Sequence, residues 1–303
     1  MQIDESFKTS INDRLDKVLQ NRFGKPRNQI QHWIKNGWVL VAGKKPVKSY
    51  IPSPDELIKV QVPDRSPELA PSPKKVKILY EDGDLVVIDK PADVSVHPGA
   101  GDSSDTIVGR LIWMGIPLAP IGLPVRPGVV QRLDKETSGV MMLAKTEESY
   151  EKLRYMISRH LFERIYLGIT DGIPKTRSGT ITGYIIRDPA NRIRFKLTKE
   201  QTAAGKFSVT HYEMIESLKG YGIIKYSLET GRTHQIRVVS SALGFPILSD
   251  KLYGKPNRLI ERQALHSVSL KFTHPLTGKT LKICSNLPKD ILSALSSLRR
   301  KRK

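Results

Sequence analysis

Residues 76–90 read Val76-Lys77-Ile78-Leu79-Tyr80-Glu81-Asp82-Gly83-Asp84-Leu85-Val86-Val87-Ile88-Asp89-Lys90. Two apolar runs, Val76–Tyr80 and Leu85–Ile88, flank Asp82-Gly83, a dipeptide suited to a tight hairpin turn. Strands are therefore expected on both sides of it. The signal recurs downstream at Val140–Ala144, Arg164–Ile169, Ser178–Ile186, Phe207–Ile215, Gly222–Glu229, Leu265–Phe272 and Thr280–Ile283. Helices are few. One short helix is expected near Thr106–Trp113. Another follows Thr146, with Glu147 and Glu148 in its first turn as the helix dipole prefers. Tyr150, Leu153, Met156, Ile157 and Leu161 give it an apolar face. A strand-rich body with few helices is α+β, not a regular βαβ repeat.

Between these elements, residues 97–130 are rich in glycine and proline, including His97-Pro98-Gly99 and Leu123-Pro124-Val125-Arg126-Pro127-Gly128. A loop that long inside a domain is usually functional or disordered. Upstream, Pro63, Pro67, Pro71 and Pro73 with Ser66 and Ser72 mark residues 63–75 as a semi-rigid linker. Residues 1–62 form a separate small module. Asn12 or Asp13 can cap a helix carrying Leu15, Val18 and Leu19. Pro26 suits the start of a second helix with Ile30, Trp33 and Ile34 on one face, and Gly37 stops it. Strands follow at Trp38–Ala42 and Leu57–Val62. The expected body spans 76–290. Residues 291–303, ending Arg299-Arg300-Lys301-Arg302-Lys303, read as a basic tail.

The 303 residues carry 50 Lys and Arg against 30 Asp and Glu, a net charge of +20. Such an excess favours a polyanionic partner, nucleic acid or anionic lipid. No apolar run approaches the length of a membrane span, and the first residues, Met1-Gln2-Ile3-Asp4-Glu5, lack the apolar core of a secretory signal. Cys284 is the only cysteine, which excludes an intramolecular disulfide and a thiolate zinc cluster and fits a reducing cytosol. The expected location is cytoplasmic.

Several chemistries lack their residues. The seven histidines show neither HxH nor HxxxH spacing, so no metal site is expected. Glu81-Asp82-Gly83-Asp84 resembles a cation loop at first glance, but the flanking strands favour a hairpin turn. There is no GxxxxGK[ST] and no GxGxxG after a strand, which leaves nucleotide-cofactor binding unsupported. No GxSxG occurs; Thr137-Ser138-Gly139 reads as a turn before the Val140 strand.

Two clusters remain. In Gln131-Arg132-Leu133-Asp134-Lys135-Glu136-Thr137-Ser138-Gly139, Asp134 lies between two cations that favour its charged form. It sits in a loop before a buried strand, where functional groups concentrate. Spacing alone leaves it either a turn carboxylate or a functional one, and Arg14-Leu15-Asp16-Lys17 repeats the same four letters. In Thr230-Gly231-Arg232-Thr233-His234-Gln235-Ile236-Arg237, a glycine-initiated turn leads into polar residues. Arg232 and Arg237 suit phosphate or carboxylate ligands; a basic exposed strand or helix start is the other reading.

These clusters, in this order, resemble the RluA-type pseudouridine synthases, and the layout is most similar to the RluD branch, which modifies a stem-loop of large-subunit ribosomal RNA. The resemblance runs through Glu81-Asp82, Asp89-Lys90-Pro91, His97-Pro98-Gly99-Ala100-Gly101, Arg132 to Gly139, Arg164-Ile165-Tyr166, Gly231 to Arg237, Asp250, Tyr253-Gly254, Leu265-His266 and His274-Pro275. Residues 1–62 resemble the S-four-like RNA-binding domain often fused to such enzymes. The resemblance implies a catalytic domain on a mixed, mostly antiparallel sheet. It implies an isomerase that cuts a uridine's glycosidic bond at the ring nitrogen and remakes it at carbon-5, without a cofactor. The catalytic carboxylate falls on Asp134, the residue stacking on uracil on Tyr166, and the arginine pairing with the carboxylate on Arg237. Arg132 matches the residue that fills the gap when the target base leaves the stack. Arg14, Lys17, Arg27, Lys35, Arg232 and His234 would contact RNA, with the basic stretch Arg187–Lys206 adding grip.

The sequence departs from the pattern at Gln131 and Val239, where histidines are usual, and at Phe245 and Ser249, which replace a usual His and Gly. These changes bear on substrate recognition. The implied partner is structured RNA, ribosomal RNA or a large-subunit precursor, with no membrane and no nucleotide cofactor. The alternatives are a catalytically impaired RNA-binding ribosome-assembly protein and a transfer-RNA pseudouridine synthase. A metal-dependent RNA hydrolase would need clustered carboxylates that the sequence lacks.

Overall fold

The computed structural model describes residues 3–25, 27–62, 69–99, 105–122 and 125–300. The chain divides into two compact units, Met1–Glu68 and Leu69–Lys303. Residues 63–68 of the expected linker lie outside the described residues. Its remaining part, 69–75, packs within the second unit. The Ser72 backbone N–H donates to the Gly109 carbonyl, and its buried hydroxyl donates to Asp105 2.9 Å away.

The first unit contains β1 (Ile3–Phe7), α1 (Leu15–Phe23), α2 (Arg27–Lys35), β2 (Val39–Val41) and β3 (Ile58–Val62). The strands form an antiparallel sheet in the order β1-β3-β2. Leu15, Leu19, Ile30, Trp33, Val39, Ile58 and Val60 share the core. Gly24, at φ 62°, ends α1 by donating its N–H to Gln20. The expected cap differs: Arg14 is the N-cap residue of α1, and the Asp13 carboxylate accepts the Arg14 N–H instead. β1 was not expected, because its alternation is carried by only Ile3, Glu5 and Phe7 inside an acidic stretch. Asp16 is fully buried and accepts hydrogen bonds from Arg14, Arg27 and Gln31. Burial alone would raise its pKa, but the bonds from Gln31, Arg14 and Arg27 together bring it down to about 2.

The second unit is α+β. Its elements are β4 (Lys77–Glu81), β5 (Leu85–Lys90), α3 (Ile107–Trp113), β6 (Ser138–Ala144), α4 (Glu147–Ser158), β7 (Glu163–Asp171), β8 (Ser178–Arg187), β9 (Phe195–Thr198), β10 (Lys206–Leu218), β11 (Tyr221–Leu228), α5 (Gln235–Ala242), β12 (Leu265–Thr273), β13 (Thr280–Cys284) and α6 (Lys289–Arg300). One sheet runs β4-β5-β6-β12-β7-β11-β10-β8-β9, with β13 on β12. Among the described strands only the β6–β12 pairing is parallel. β5 and β6 read as unbroken apolar runs because both faces are covered. Val86, Ile88, Met141 and Leu143 meet α3, while Leu85, Val87, Val140 and Met142 pack in the cluster that holds Leu153 of α4. Thr146 caps α4 through the Ser149 N–H, and Ser149 returns the bond.

The hairpin reading of Glu81–Asp84 accounts for that segment. One Asp82 oxygen accepts the N–H groups of Asp84 and Leu85, and the other accepts the Tyr80 hydroxyl and lies 2.9 Å from His274 Nε2. The expected basic tail, 291–303, is corrected for 291–300. These residues belong to α6, whose Ile291, Ala294, Leu295 and Leu298 are buried against Ile169, Leu218, Ile223 and Leu248. The i, i+3, i+4, i+7 spacing of those four side chains is a core-facing stripe that the terminal charge run obscured. Among the described residues no helix is long and apolar enough to cross a membrane.

Two outcomes follow from this packing. Leu295→Ala should lower the unfolding free energy by about 2–4 kcal/mol in urea titrations. Because the Asp16 pKa is depressed on folding, its contribution is complete above about pH 4 and is lost as pH falls through about 2. Hydrogen exchange in α1 should accelerate over that window, and Asp16→Asn should remove the dependence.

Candidate active site

Asp134 opens a turn that closes where the Thr137 N–H donates to its carbonyl. The ammonium of Lys90, fully buried at the end of β5, donates to the carbonyls of Pro91, Lys135 and Thr137 at 2.8–2.9 Å. Burial pushes its pKa down to about 7, with the charge of Asp134 pulling the other way. Immediately after the turn, Gly139 adopts φ 111°, and a Cβ there would lie 2.1 Å from the Ser267 carbonyl oxygen. Only glycine lets β6 run this close to β12. The Thr137-Ser138-Gly139 turn of the sequence reading is therefore already strand at Ser138.

Arg237 reaches the site from the first turn of α5. The turn before that helix is fixed by one amide: Gln235 accepts the Thr230 hydroxyl and the Arg232 N–H, and donates to Val209 and Thr210 of β10. The Arg237 guanidinium donates through Nε and one terminal nitrogen to both oxygens of buried Asp250, at 2.7 and 2.9 Å. Its other terminal nitrogen donates to Asp134 Oδ2 at 3.0 Å. Burial disfavours its charge, but the bond to Asp250 and the charges of Asp134 and Asp250 prevail and hold its pKa above the ordinary value. Asp250 is oriented in turn by the N–H groups of Leu252 and Tyr253. The Tyr253 ring lies under the guanidinium, 5.1 Å from its carbon.

Asp134, Arg237, Tyr166, Arg132, Arg232 and His234 all line one cavity of about 800 Å³. Tyr166 projects from β7, between Ser267 of β12 and Tyr226 of β11. Burial pushes its phenol pKa up, with the charge of Arg164 and the Ser267 hydroxyl opposing. Arg132 is exposed at this cavity. Arg232 donates to the Phe207 carbonyl at 2.8 Å. His234 lies 4.0 Å from Asp134 Oδ1. Arg14, Lys17, Arg27 and Lys35 belong to the first unit. There Arg14 and Arg27 pair with Asp16 and Lys17 pairs with Asp13, while Lys35 is exposed. A more open depression of about 510 Å³ lies on β8, β10 and β11, where Lys225 pairs with Glu213, His211 pairs with Glu229, and Arg177 adds a further cation.

Sequence reasoning gave Asp250, Tyr253 and Lys90 no role, although all three stand in the resembled segments. A lone acid before a Tyr-Gly pair carries no motif of its own; its meaning comes from the arginine 13 residues earlier. Of the four departures noted above, only Gln131 lines the cavity. Val239 is buried within α5, Phe245 packs against Tyr212 with ring centroids 5.6 Å apart, and Ser249 bonds the Ile260 carbonyl.

Comparison with known proteins converges on one family. Residues 84–242 match the RNA pseudouridylate synthases. The chain is 35% identical to an RNA pseudouridine synthase of Bacillus subtilis, YlyB, over 95% of both chains. It is 36% identical to the ribosomal large subunit pseudouridine synthase D of Neisseria meningitidis, covering 94% of this chain and 79% of the other. The solved structure of the human RNA pseudouridylate synthase domain containing 4 aligns with a TM-score of 0.56 at 25% identity, covering 74% of this chain and 93% of that one.

Asp250→Ala would leave Arg237 buried with half its countercharge removed. The unfolding free energy should fall by about 3 kcal/mol in urea titrations, and a loss no greater than that of an exposed ion pair would show that Arg237 does not depend on Asp250.

Proposed function

The chain belongs to the RNA pseudouridylate synthase family, and we infer that it isomerises uridines in large-subunit ribosomal RNA, with Asp134 as the catalytic carboxylate. It is an RluA-type RNA pseudouridine synthase, an isomerase whose substrate is RNA. Three relatives named for the large ribosomal subunit, each 35–36% identical over 94% of this chain, support the choice of RNA. A cytoplasmic setting follows from that substrate.

The observation that carries the reading of the site is the Arg237–Asp134 pair, 3.0 Å long, in a cavity that also holds Tyr166. In the reaction the bond from ribose C1′ to uracil N1 breaks, the ring turns, and C1′ bonds to C5. The C5 proton then leaves and N1 ends protonated, so nothing is oxidised or reduced. A carboxylate suits this because it can add to the sugar or stabilise its cationic form. Arg237 holds Oδ2, which leaves Oδ1 facing the cavity as the reacting oxygen. The cation is fixed before substrate arrives, so little reorganisation is needed as charge develops. Tyr166 stacks on the extruded uracil, and its raised phenol pKa keeps the ring neutral. Exposed Arg132 enters the stack that the base leaves. Arg232 and His234 contact the RNA at this cavity.

The first unit, through residue 62, acts as an S-four-like RNA-binding domain, and the linker begins at residue 63, with its part 69–75 packed into the catalytic unit. The α1–α2 pair on a three-stranded sheet, with exposed Lys35 and outward Arg14 and Arg27, supports that role. The catalytic domain extends through α6 rather than ending at residue 290.

Asp134→Asn should reduce tritium release from carbon-5-labelled RNA at least about a thousandfold and leave RNA affinity within about threefold. Surviving wild-type turnover would refute the assignment. Carbodiimide mapping of RNA from a deletion strain should show missing sites in the large-subunit RNA. Sites missing from transfer RNA alone would overturn the ribosomal reading.

A further inference from the structure

His234 occupies a costly position. It is the N-cap residue of α5 at φ 56°, left-handed for a residue with a Cβ, and its side chain makes no capping bond. The ring is instead boxed edge-on by Phe195 and Tyr253, with centroids 5.7 and 5.6 Å away. Nδ1 lies 2.9 Å from the Tyr253 hydroxyl oxygen, which itself accepts the Phe195 N–H at 2.9 Å. Since the phenol oxygen already accepts one N–H, donating its own proton to Nδ1 is the arrangement that satisfies both groups. The network therefore assigns the imidazole proton to Nε2. Burial lowers the His234 pKa below its ordinary value, opposed by Asp134, which favours the neutral ring.

Nε2 then faces Asp134 Oδ1 across 4.0 Å. That gap is too wide for a direct hydrogen bond. A hydroxyl oxygen about 2.8 Å from both ends would bridge it at an angle of about 90°, accepting from the imidazole and donating to the carboxylate. An internal ribonucleotide has one free hydroxyl, because its 3′ and 5′ oxygens are esterified. That hydroxyl sits on C2′, next to the C1′ atom at which Asp134 acts. We propose that His234 Nε2–H and Asp134 Oδ1 together grip the 2′-hydroxyl of the target uridine, so that this histidine makes the active site selective for ribose over deoxyribose. Tyr253 is the positioning residue that sets the tautomer. The proposal rests on Asp134 being the catalytic carboxylate.

The test uses stem-loop RNAs with either uridine or 2′-deoxyuridine at the target position, both tritiated at carbon-5. In the wild type, the deoxy substitution should lower kcat/KM roughly 10- to 100-fold. His234→Ala should cause a comparable loss on the ribose substrate and almost none on the deoxy one, so the two losses do not add. Tyr253→Phe, which keeps the ring but removes the phenol proton, should narrow the ribose-to-deoxyribose ratio at least about threefold. It serves where the histidine variant fails to fold. Additive losses, or an unchanged ratio in Tyr253→Phe, would overturn the proposal. A wild type that releases no tritium from any ribose substrate would instead overturn the isomerase assignment beneath it.

Discussion

One guanidinium placed between two carboxylates organises the catalytic unit. Arg237 is buried, and Asp250 takes two of its nitrogens in a fork while Asp134 takes the third. A cation in that setting is stable only if its partners are fixed, since desolvation costs more than one loose contact returns. The chain fixes both. Backbone N–H groups hold Asp250, and the Lys90 ammonium clamps the turn bearing Asp134. Oδ1 of Asp134, which we propose as the reacting oxygen, is the one carboxylate oxygen of the group that Arg237 does not hold.

The sheet explains why these distant segments meet. Among the described strands, β6 and β12 form the single parallel pair, at His266 and Ser138, and Gly139 allows the close crossing. That crossing sets the Asp134 turn beside β12, and β7 beyond it supplies Tyr166. On the far side, β11 and β10 carry the turn that launches α5. Asp134 and Arg237 are 103 residues apart in the chain, so their contact depends on strand order rather than on local structure.

Much of this was legible beforehand where a short signal had a physical cause. Asp82-Gly83 announced the β4–β5 hairpin, and Thr146-Glu147-Glu148 announced the start of α4. That Asp134, Tyr166 and Arg237 would share one cavity was legible through resemblance, since their individual spacing does not separate a turn carboxylate from a functional one. What stayed hidden had weak or masked signals. β9 is a four-residue edge strand within a basic stretch. α6 hides a regular apolar stripe beneath terminal arginines. Asp250 and Tyr253 act only through partners that the fold brings to them.

The buried Asp16 has a consequence for how the protein meets a polyanion. Arg14 and Arg27 are 37% and 48% exposed, so each offers an outer edge while its inner edge is spent on the same carboxylate. A phosphate arriving there finds guanidiniums already partly neutralised and held in fixed directions. Fewer counterions are displaced per contact than the formal excess of twenty positive charges implies. The slope of affinity against salt concentration should accordingly understate how many basic residues lie at such a contact.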